Sequence, residues 1–217
     1  MKERPIIMSA PMVRAMLSGA KSQTRRAVKL PKHVLEFLGD PGRAWIKYGG
    51  FGGQPGHSGP GAYVTDEEYS EEGSAHVPCP YGVPGDRLWV RETWSHDAPD
   101  LATCRAAHED VCNGIGYGPY YRATEVAPDT LRWRPAIYMP RWASRITLEV
   151  TGVRVEQLHD ISEEDAKAEG IESGSVESAV EKYAWLWGQI NGAASWAANV
   201  WVWVISFRRL ADAREEA

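Results

Sequence analysis

The sequence predicts an α+β fold organised as a single domain with insertions. Apolar runs of strand length, such as residues 200–207, are separated by segments with helical spacing, such as residues 176–190. The chain of 217 residues has 43% hydrophobic content, which is enough to bury a sizeable core. We therefore expect one elaborated domain over residues 1–210, followed by a charged tail at residues 211–217.

The overall charge argues against a protein that coats nucleic acid by bulk attraction. Lysine and arginine total 24, aspartate and glutamate total 29, and the formal net charge is −5. This balance is still compatible with a local basic groove.

Apolar run length and cysteine usage predict a cytoplasmic protein that does not enter a membrane. No uncharged apolar run reaches the roughly 18 residues of a membrane span, and no long apolar segment follows residues 1–5. Three cysteines are an odd number in a chain without an export signal. We therefore expect reduced thiols rather than a disulfide framework.

The N-terminal elements are predicted to be a short strand and a short helix. Residues 6–9 form an apolar run suited to a buried strand, and Pro11 fits the first turn of the helix that follows. Gly19 lies where a left-handed residue ends such a helix. Lys21 and Thr24 are then expected in the exit loop. The alternative is that a strand begins at residues 24–28, but the polar residues 21–23 favour the loop.

Two insertions are expected, at about residues 31–78 and 95–119. The first contains residues 49–61, whose seven glycines and two prolines predict a flexible surface loop. Between the insertions, the Gly85-Asp86 turn leads into a strand at residues 87–94. A short helix at residues 101–111 and a strand at residues 120–123 complete this part of the chain.

The C-terminal half carries the clearest signals. Residues 146–155 predict a strand, and Ser162 caps a helix that has an acidic first turn and ends at Gly170. A second helix is predicted at residues 176–190. The continuous β-branched and aromatic run at residues 200–207 predicts a strand covered on both faces.

Lys21 and Thr24 form the first candidate site. A lysine that is desolvated and close to another cation has a lowered pKa and can take a proton from a nearby hydroxyl, as a base does from a nucleophile. Here Arg25 or Arg26 supplies the second cation. The alternative is that both side chains are solvated in a loop.

The spacing Gly19, Lys21, Thr24 and Arg26, read as Gly-x-Lys-x-x-Thr-x-Arg, occurs between a short helix and the later Gly-Asp turn. In this order of elements the chain resembles the ASCH family, and in particular phage and prophage proteins of that family. The resemblance implies a PUA-like mixed β-barrel with flanking helices and loop insertions.

The resemblance also implies a function. Small bacterial ASCH enzymes are amidohydrolases that remove the acetyl group from N4-acetylcytidine with a lysine, a threonine and a glutamate. These roles fall on Lys21, Thr24 and Glu169, and no cofactor is implied. Whether the substrate is a free nucleoside, an RNA residue or a modified phage base is left open.

Other side chains are candidates for binding the substrate. Arg26 is a candidate oxyanion or substrate clamp, and Trp94 or Tyr121 are candidates for stacking on the pyrimidine. Glu92 is a rival acid in the cleft; the alternative is that it pairs with a neighbouring arginine, Arg145 or Arg91. Arg145 is accordingly a further candidate for substrate binding.

Cysteine and histidine spacing gives a weak metal signal. Cys104, His108 and Cys112 follow one another at intervals of four, with Cys79 as a conceivable fourth ligand. This spacing is not a usual knuckle pattern and the surrounding helix is poor, so we expect no metal.

The alternative function is an RNA-binding or RNA-cleaving module. Residues 132–145 interleave four arginines with three aromatic residues, a composition that grips single-stranded nucleic acid. The acidic net charge weighs against this reading.

Overall fold

A computed structural model describes residues 1–38, 45–49, 61–65, 75–96, 98, 100–109, 119–125, 131–172 and 177–211. These residues form a mixed structure of helices and strands around a five-stranded sheet, which confirms the α+β part of the predicted fold. No helix in this part of the chain is long and apolar enough to cross a membrane.

Ten strands and five α-helices are present in the described ranges. The strands are β1 (Glu3–Ile7), β2 (Gln23–Ala27), β3 (Trp45–Gly49), β4 (Gly61–Thr65), β5 (Ala75–Pro78), β6 (Arg87–Arg91), β7 (Trp94–His96), β8 (Pro119–Tyr121), β9 (Thr147–Gln157) and β10 (Trp201–Arg209). The helices are α1 (Ala10–Leu17), α2 (Lys32–Leu38), α3 (Leu101–Glu109), α4 (Glu163–Ala168) and α5 (Ala179–Asn191).

The main sheet has the strand order β1-β6-β9-β10-β2. β1 pairs in parallel with β6, and the other three pairings are antiparallel. β1 and β2 are therefore the two edges, and α1 connects them along the chain. Within the described residues no ladder joins these edges, so they do not close a barrel; a bond of 2.7 Å from Arg26 Nη2 to the Ile7 carbonyl bridges them.

The core lies on both faces of β10, as the continuous apolar run predicts. Trp203 and Ile205 pack on one face with α1, and Val202 and Val204 pack on the other with α4 and α5. Burial of each such side chain stabilises the fold by about 1.5–3 kcal/mol relative to exposure. The two helices after β9 are thereby held against the sheet.

Local signals at the helix ends and turns are also confirmed. The Ser162 hydroxyl accepts the Asp165 amide at the start of α4. Gly19 and Gly170 adopt positive φ at the ends of α1 and α4, and Gly85 does so in the turn before β6. Glycine takes this conformation without the steric cost that a Cβ imposes.

Thr24 lies in β2, and the prediction that it belongs to a loop is wrong. The neighbouring polar side chains of this strand are buried, because Gln23 and Arg25 bond to acidic residues of α4 and β9. Ion pairing allows a polar sequence to form a buried strand. A prediction from hydrophobic periodicity does not detect such a strand, because its side chains are not apolar.

The strand predicted at residues 87–94 is two strands. β6 ends at Arg91, where the chain leaves the main sheet and the Glu92 amide bonds to Met139 Sδ at 3.4 Å. β7 then begins at Trp94 and pairs with β8. The expected insertion at residues 95–119 therefore includes part of a small sheet as well as α3.

The first insertion also contains regular structure. β3, β4 and β5 form a three-stranded antiparallel sheet within it. Of the predicted glycine-rich loop, residues 50–60 lie outside the described residues, as do residues 212–217 of the predicted tail.

Candidate active site

Lys21 and Glu169 form a buried ion pair where the exit from α1 meets the end of α4. Lys21 Nζ donates to Glu169 Oε2 at 2.5 Å and to the Glu169 carbonyl at 2.8 Å. The two residues also form an isolated β-bridge, and the Ser22 amide donates to the Ala168 carbonyl at 2.9 Å. Main chain and side chain together therefore fix the pair.

Gly170 allows the end of α4 to lie close to Ala15 and Lys21. It has φ +85°, and a Cβ at this position would lie 2.8 Å from Ala15 Cβ and 3.1 Å from Lys21 Cβ. A side chain here would push α1 and Lys21 away from α4. The glycine thus ends α4 and makes room for the lysine.

The second carboxylate oxygen of Glu169 is held from the opposite side. The Arg25 amide donates to Oε1 at 2.5 Å, and the Tyr183 hydroxyl lies 3.4 Å from the same oxygen. Burial is the main cause that raises the pKa of Tyr183, and the Glu169 charge adds to it, so the hydroxyl keeps its proton and acts as a donor. Three donors on two oxygens fix the orientation of Glu169.

A larger network of charges surrounds this carboxylate. Arg25 Nη2 contacts Glu156 at 2.5 Å and Asp165 at 2.8 Å, and its Nη1 donates to Gln23 at 2.7 Å. Arg154 bonds to the same two carboxylates at 2.8 and 2.6 Å. Burial alone would raise the pKa of Asp165, but the Gln23 bond and the charges of Arg25 and Arg154 lower it overall.

The network is electrically balanced, which permits so many charged groups to lie together. We call it the Lys21 charge cluster; its three cations are Lys21, Arg25 and Arg154, and its three carboxylates are Glu156, Asp165 and Glu169.

The pKa of Lys21 is lowered from its ordinary value. Burial is the largest cause, because a low-dielectric environment disfavours the ammonium. Glu169 opposes this shift, whereas the charges of Arg26 and Arg25 add to it. Lys21 therefore loses its proton more readily than a solvated lysine does.

Lys21, Thr24, Arg26 and Glu169 all line one cleft of about 350 Å³. A cleft of this size is within the range that holds small ligands. It lies between the edge strands β1 and β2 and is bounded by α5. Its other walls are contributed by Ile7, Met8, Ser9, Met12, Arg25, Ala27, Thr93, Ala136, Tyr183, Leu186, Trp187, Ile190 and Asn191.

The Thr24 hydroxyl is available for chemistry. Thr24 is buried, yet no described residue forms a hydrogen bond with its Oγ1. The structure thus brings all three sequence-predicted catalytic residues to one cleft, with a direct bond between Lys21 and Glu169 only.

Glu92 and Arg145 form a second buried ion pair, as the pairing alternative predicts. Arg145 donates to both Glu92 oxygens, at 2.9 and 3.0 Å, and its guanidinium lies 4.0 Å over the Tyr121 ring. Trp94 is 0% exposed and Tyr121 is 6% exposed. None of these four side chains is among those that line the cleft.

This placement corrects the expectation that Trp94 or Tyr121 stacks on a pyrimidine. Trp94 packs with Met139 and Ala143, and the Tyr121 hydroxyl donates to the Ala143 carbonyl at 2.9 Å. A side chain whose faces are covered by protein offers no surface to a base. Glu92 and Arg145 bond to each other beside Tyr121 and do not line the cleft either.

The structure describes only some of the side chains considered as metal ligands. Cys79 is a free, buried cysteine, as expected for a reduced thiol, and Cys104 is buried in α3. The side chain of His108 and all of Cys112 lie outside the described residues. The described portion contains no group of three His, Cys, Asp or Glu side chains that could hold a metal ion.

The sequence pointed to Arg25 only as a cation near Lys21, and it did not point to Tyr183 as part of this site. The ion pairs of Arg25 could have been found from the acidic first turn of α4, because an arginine close to the motif lysine and a distant run of acids are complementary charges. Tyr183 lies on the apolar face of α5, where an aromatic residue reads as core, and its hydroxyl gives no sequence signal.

Comparisons of the chain with protein-family models, with curated proteins and with solved structures give no match. The ASCH resemblance rests on the motif residues and stays a prediction.

Proposed function

We propose that the protein is an amidohydrolase that removes the acyl group from N4-acetylcytidine or a related N4-acylated cytosine nucleoside. The observation that carries the proposal is the meeting of Lys21, Thr24 and Glu169 at one cleft, with burial lowering the pKa of the lysine. An amide hydrolase needs a nucleophile and a base, and Thr24 and Lys21 are of these types.

In the proposed reaction, neutral Lys21 takes the proton of Thr24 Oγ1 as that oxygen attacks the acyl carbon. An ammonium carries three N–H donors, and two of the positions on Nζ are directed to Glu169. The third position receives the proton. Lys21 then gives this proton to N4 as the carbon–nitrogen bond breaks, which releases cytidine and leaves an acyl-threonine. Water hydrolyses this ester, which frees the carboxylic acid and restores Thr24.

Glu169 acts in this scheme by orienting Lys21. Its two oxygens are held by Lys21 on one side and by Arg25 and Tyr183 on the other, so the lysine cannot rotate without losing a bond. Arg26 lines the same cleft and is the proposed clamp for the oxyanion or for the substrate.

The test is release of cytidine from N4-acetylcytidine by the wild type and by Lys21→Ala, Thr24→Ala and Glu169→Ala. Each variant is expected to lose about 10²–10⁴-fold in kcat, the usual contribution of a positioned acid–base group. Glu149→Ala is the matched control. It removes an exposed ion pair between Glu149 and Arg208, neither of which lines the cleft, and it is expected to keep full activity. Full activity in all three site variants would end this mechanism.

A variant of the mechanism has Thr24 position a water that attacks directly. A covalent acyl adduct that forms on the wild type or on Thr24→Ser and is absent from Thr24→Ala separates the two routes, because only the attacking hydroxyl becomes acylated. Intact-mass measurement after rapid quenching shows an acyl adduct only if the side chain at position 24 is the nucleophile.

We further propose that the main sheet is the core of a PUA-like ASCH barrel. The bond from Arg26 to the Ile7 carbonyl supports this, since it spans the gap between the two edge strands. Arg26 is also the last residue of the family-like motif.

RNA binding is the second candidate function, and two exposed side chains next in sequence to a cleft residue favour it. Tyr138 is 71% exposed and Ile137 is 57% exposed, and they follow Ala136, which lines the cleft. An exposed aromatic ring offers a stacking surface to a base. Salt-dependent affinity for single-stranded RNA without cytidine release would favour binding, and RNA cleavage lost in Lys21→Ala would favour a nuclease.

A further inference from the structure

The open edge of β2 presents main-chain groups to the cleft. The Phe207 amide donates to the Ser22 carbonyl and the Val28 amide donates to the Trp201 carbonyl, each at 2.8 Å. In an antiparallel ladder only alternate residues bond to a given neighbour. The even-numbered residues of β2 therefore bond to β10, and the odd-numbered residues turn their N–H and C=O groups outward.

Glu169 already uses one of these outward groups. The Arg25 amide bonds to its carboxylate, which takes the place of a partner strand at that residue. The next groups along the same edge are the Arg25 carbonyl and the Ala27 amide. Both residues line the cleft, and among the described residues none bonds to either group.

We infer that the Arg25 carbonyl and the Ala27 amide recognise the base of the substrate through its N4–H and N3. An acceptor and a donor two residues apart on one strand edge match the donor and acceptor that adjoin on an N4-acylated cytosine. This inference rests on the proposed function, since it assigns how the same cleft selects its base.

The direction of β2 agrees with this arrangement. The Arg25 carbonyl lies on the Lys21 side of the Ala27 amide along the strand, so the N4 end of the base is directed towards Lys21 and Glu169. The acyl group extends from N4 on the side away from N3, and hence towards the catalytic residues. The sugar, at the opposite end of the base, is directed past Ala27, which is exposed.

Main-chain recognition predicts which pyrimidines are rejected. Uridine carries a donor at N3 and an acceptor at the neighbouring oxygen. The Ala27 amide would then face another donor, and the Arg25 carbonyl would face another acceptor. Polar groups that a bound base covers without pairing cost more free energy than a hydrogen bond gains. The edge of β2 thereby discriminates cytosine from uracil without a dedicated side chain.

The test measures binding of three probes to the wild type: cytidine, 3-deazacytidine, which lacks the N3 acceptor, and uridine. Loss of one hydrogen bond is expected to weaken 3-deazacytidine about 5- to 10-fold relative to cytidine, and uridine more strongly. Equal binding of the three probes would overturn the inference.

The variant Ala27→Pro removes the donor itself. Proline is tolerated on an edge strand where its missing N–H faces outward, and Pro5 already occupies such a position on β1. Ala27→Val keeps the amide and is the matched control. The proline variant is expected to bind cytidine about 5- to 10-fold more weakly than the control and to bind 3-deazacytidine equally well.

Hydrolysis of N4-acetylcytidine by the same preparations separates this inference from the proposed function. Cytidine release by a wild type that does not distinguish cytidine from 3-deazacytidine would refute the base recognition alone. Discrimination among the probes without any cytidine release would refute the amidohydrolase and support the recognition. If Ala27→Pro fails to fold, the three probes on the wild type still decide.

Discussion

Two of the buried ion pairs in the described residues, Lys21–Glu169 and Arg145–Glu92, are alike in burial and differ in chemistry. Both join a cation to a carboxylate that is almost fully buried. The first lines a cleft and contains a lysine, which can lose its proton. The second is bidentate, lies against Tyr121 away from the cleft, and contains an arginine, which stays charged.

The difference shows what separates a structural pair from a candidate catalytic one. Burial and pairing are common to both and therefore identify neither. Access from a cleft, a titratable cation and an uncommitted hydroxyl at Thr24 occur together only at Lys21 within the described part of the chain.

The largest effect is expected from exchanging lysine and arginine at the two pairs. Lys21→Arg keeps the positive charge but cannot accept a proton, so kcat on N4-acetylcytidine should fall about 10²–10⁴-fold. Arg145→Lys should leave kcat within about twofold, because this pair takes no part in the chemistry. The two variants are assayed below their melting temperatures; an equal loss of activity in both would contradict the distinction.

Truncating Arg145 should mainly affect stability. Arg145→Ala leaves Glu92 buried without its partner, which costs about 3–5 kcal/mol for a fully buried pair and less here, since the Arg145 side chain is 22% exposed. Urea unfolding at pH 7 gives the change in free energy. The folded variant is expected to keep its kcat.

The same variant has a defined pH dependence. Burial is the main cause that raises the pKa of Glu92, and Arg145 opposes it. Without Arg145 this pKa rises further, so the buried carboxyl is neutral at low pH and the penalty disappears there. The difference in unfolding free energy should therefore shrink as pH falls through the raised pKa, and a difference that grows would contradict this account.

A smaller effect is expected from two glycines that share a conformation. Gly170→Ala introduces a Cβ at φ +85° that also meets Ala15 and Lys21, whereas Gly19→Ala introduces one at φ +80° into open space. Both carry the strain of about 1–2 kcal/mol for a left-handed residue, and only the first moves the catalytic lysine. Thermal unfolding and kcat should therefore both be affected at Gly170, and thermal unfolding alone at Gly19.

The smallest effect is expected at Tyr183. Tyr183→Phe removes a hydrogen bond of 3.4 Å to Glu169, which the Arg25 amide continues to hold. Its net contribution is at most about 0.5–1.5 kcal/mol, so kcat should fall less than about tenfold. A loss as large as that of Lys21→Arg would give Tyr183 a direct part in proton transfer.

The sequence predicted well those elements whose local signals agree with their packing. β10 reads as a strand covered on both faces because α1 and the α4–α5 pair bury it from opposite sides. Ser162 and Gly170 mark the ends of α4 through cap chemistry that acts within a few residues. Lys21 and Glu169 were named together by the family resemblance, and no local pattern in the sequence links them.

What the sequence did not predict depends on partners that are distant along the chain. β2 reads as a loop because Gln23 and Arg25 are polar, and they become buried through carboxylates more than 130 residues away. Trp94 and Tyr121 carry the aromatic character of a binding site, but only the fold shows that protein covers their faces. Composition does not distinguish a stacking surface from a packed core.

The most direct test of the central claim is the dependence of kcat on pH for the hydrolysis of N4-acetylcytidine. A base must be deprotonated to act, and burial lowers the pKa of Lys21. The rate should therefore rise with pH through an apparent pKa and reach a plateau above it. This apparent pKa should lie below the value of about 10.4 for a solvated lysine. The account predicts that this ascending limb is absent from the residual activity of Lys21→Arg; an unchanged limb in that variant would contradict it.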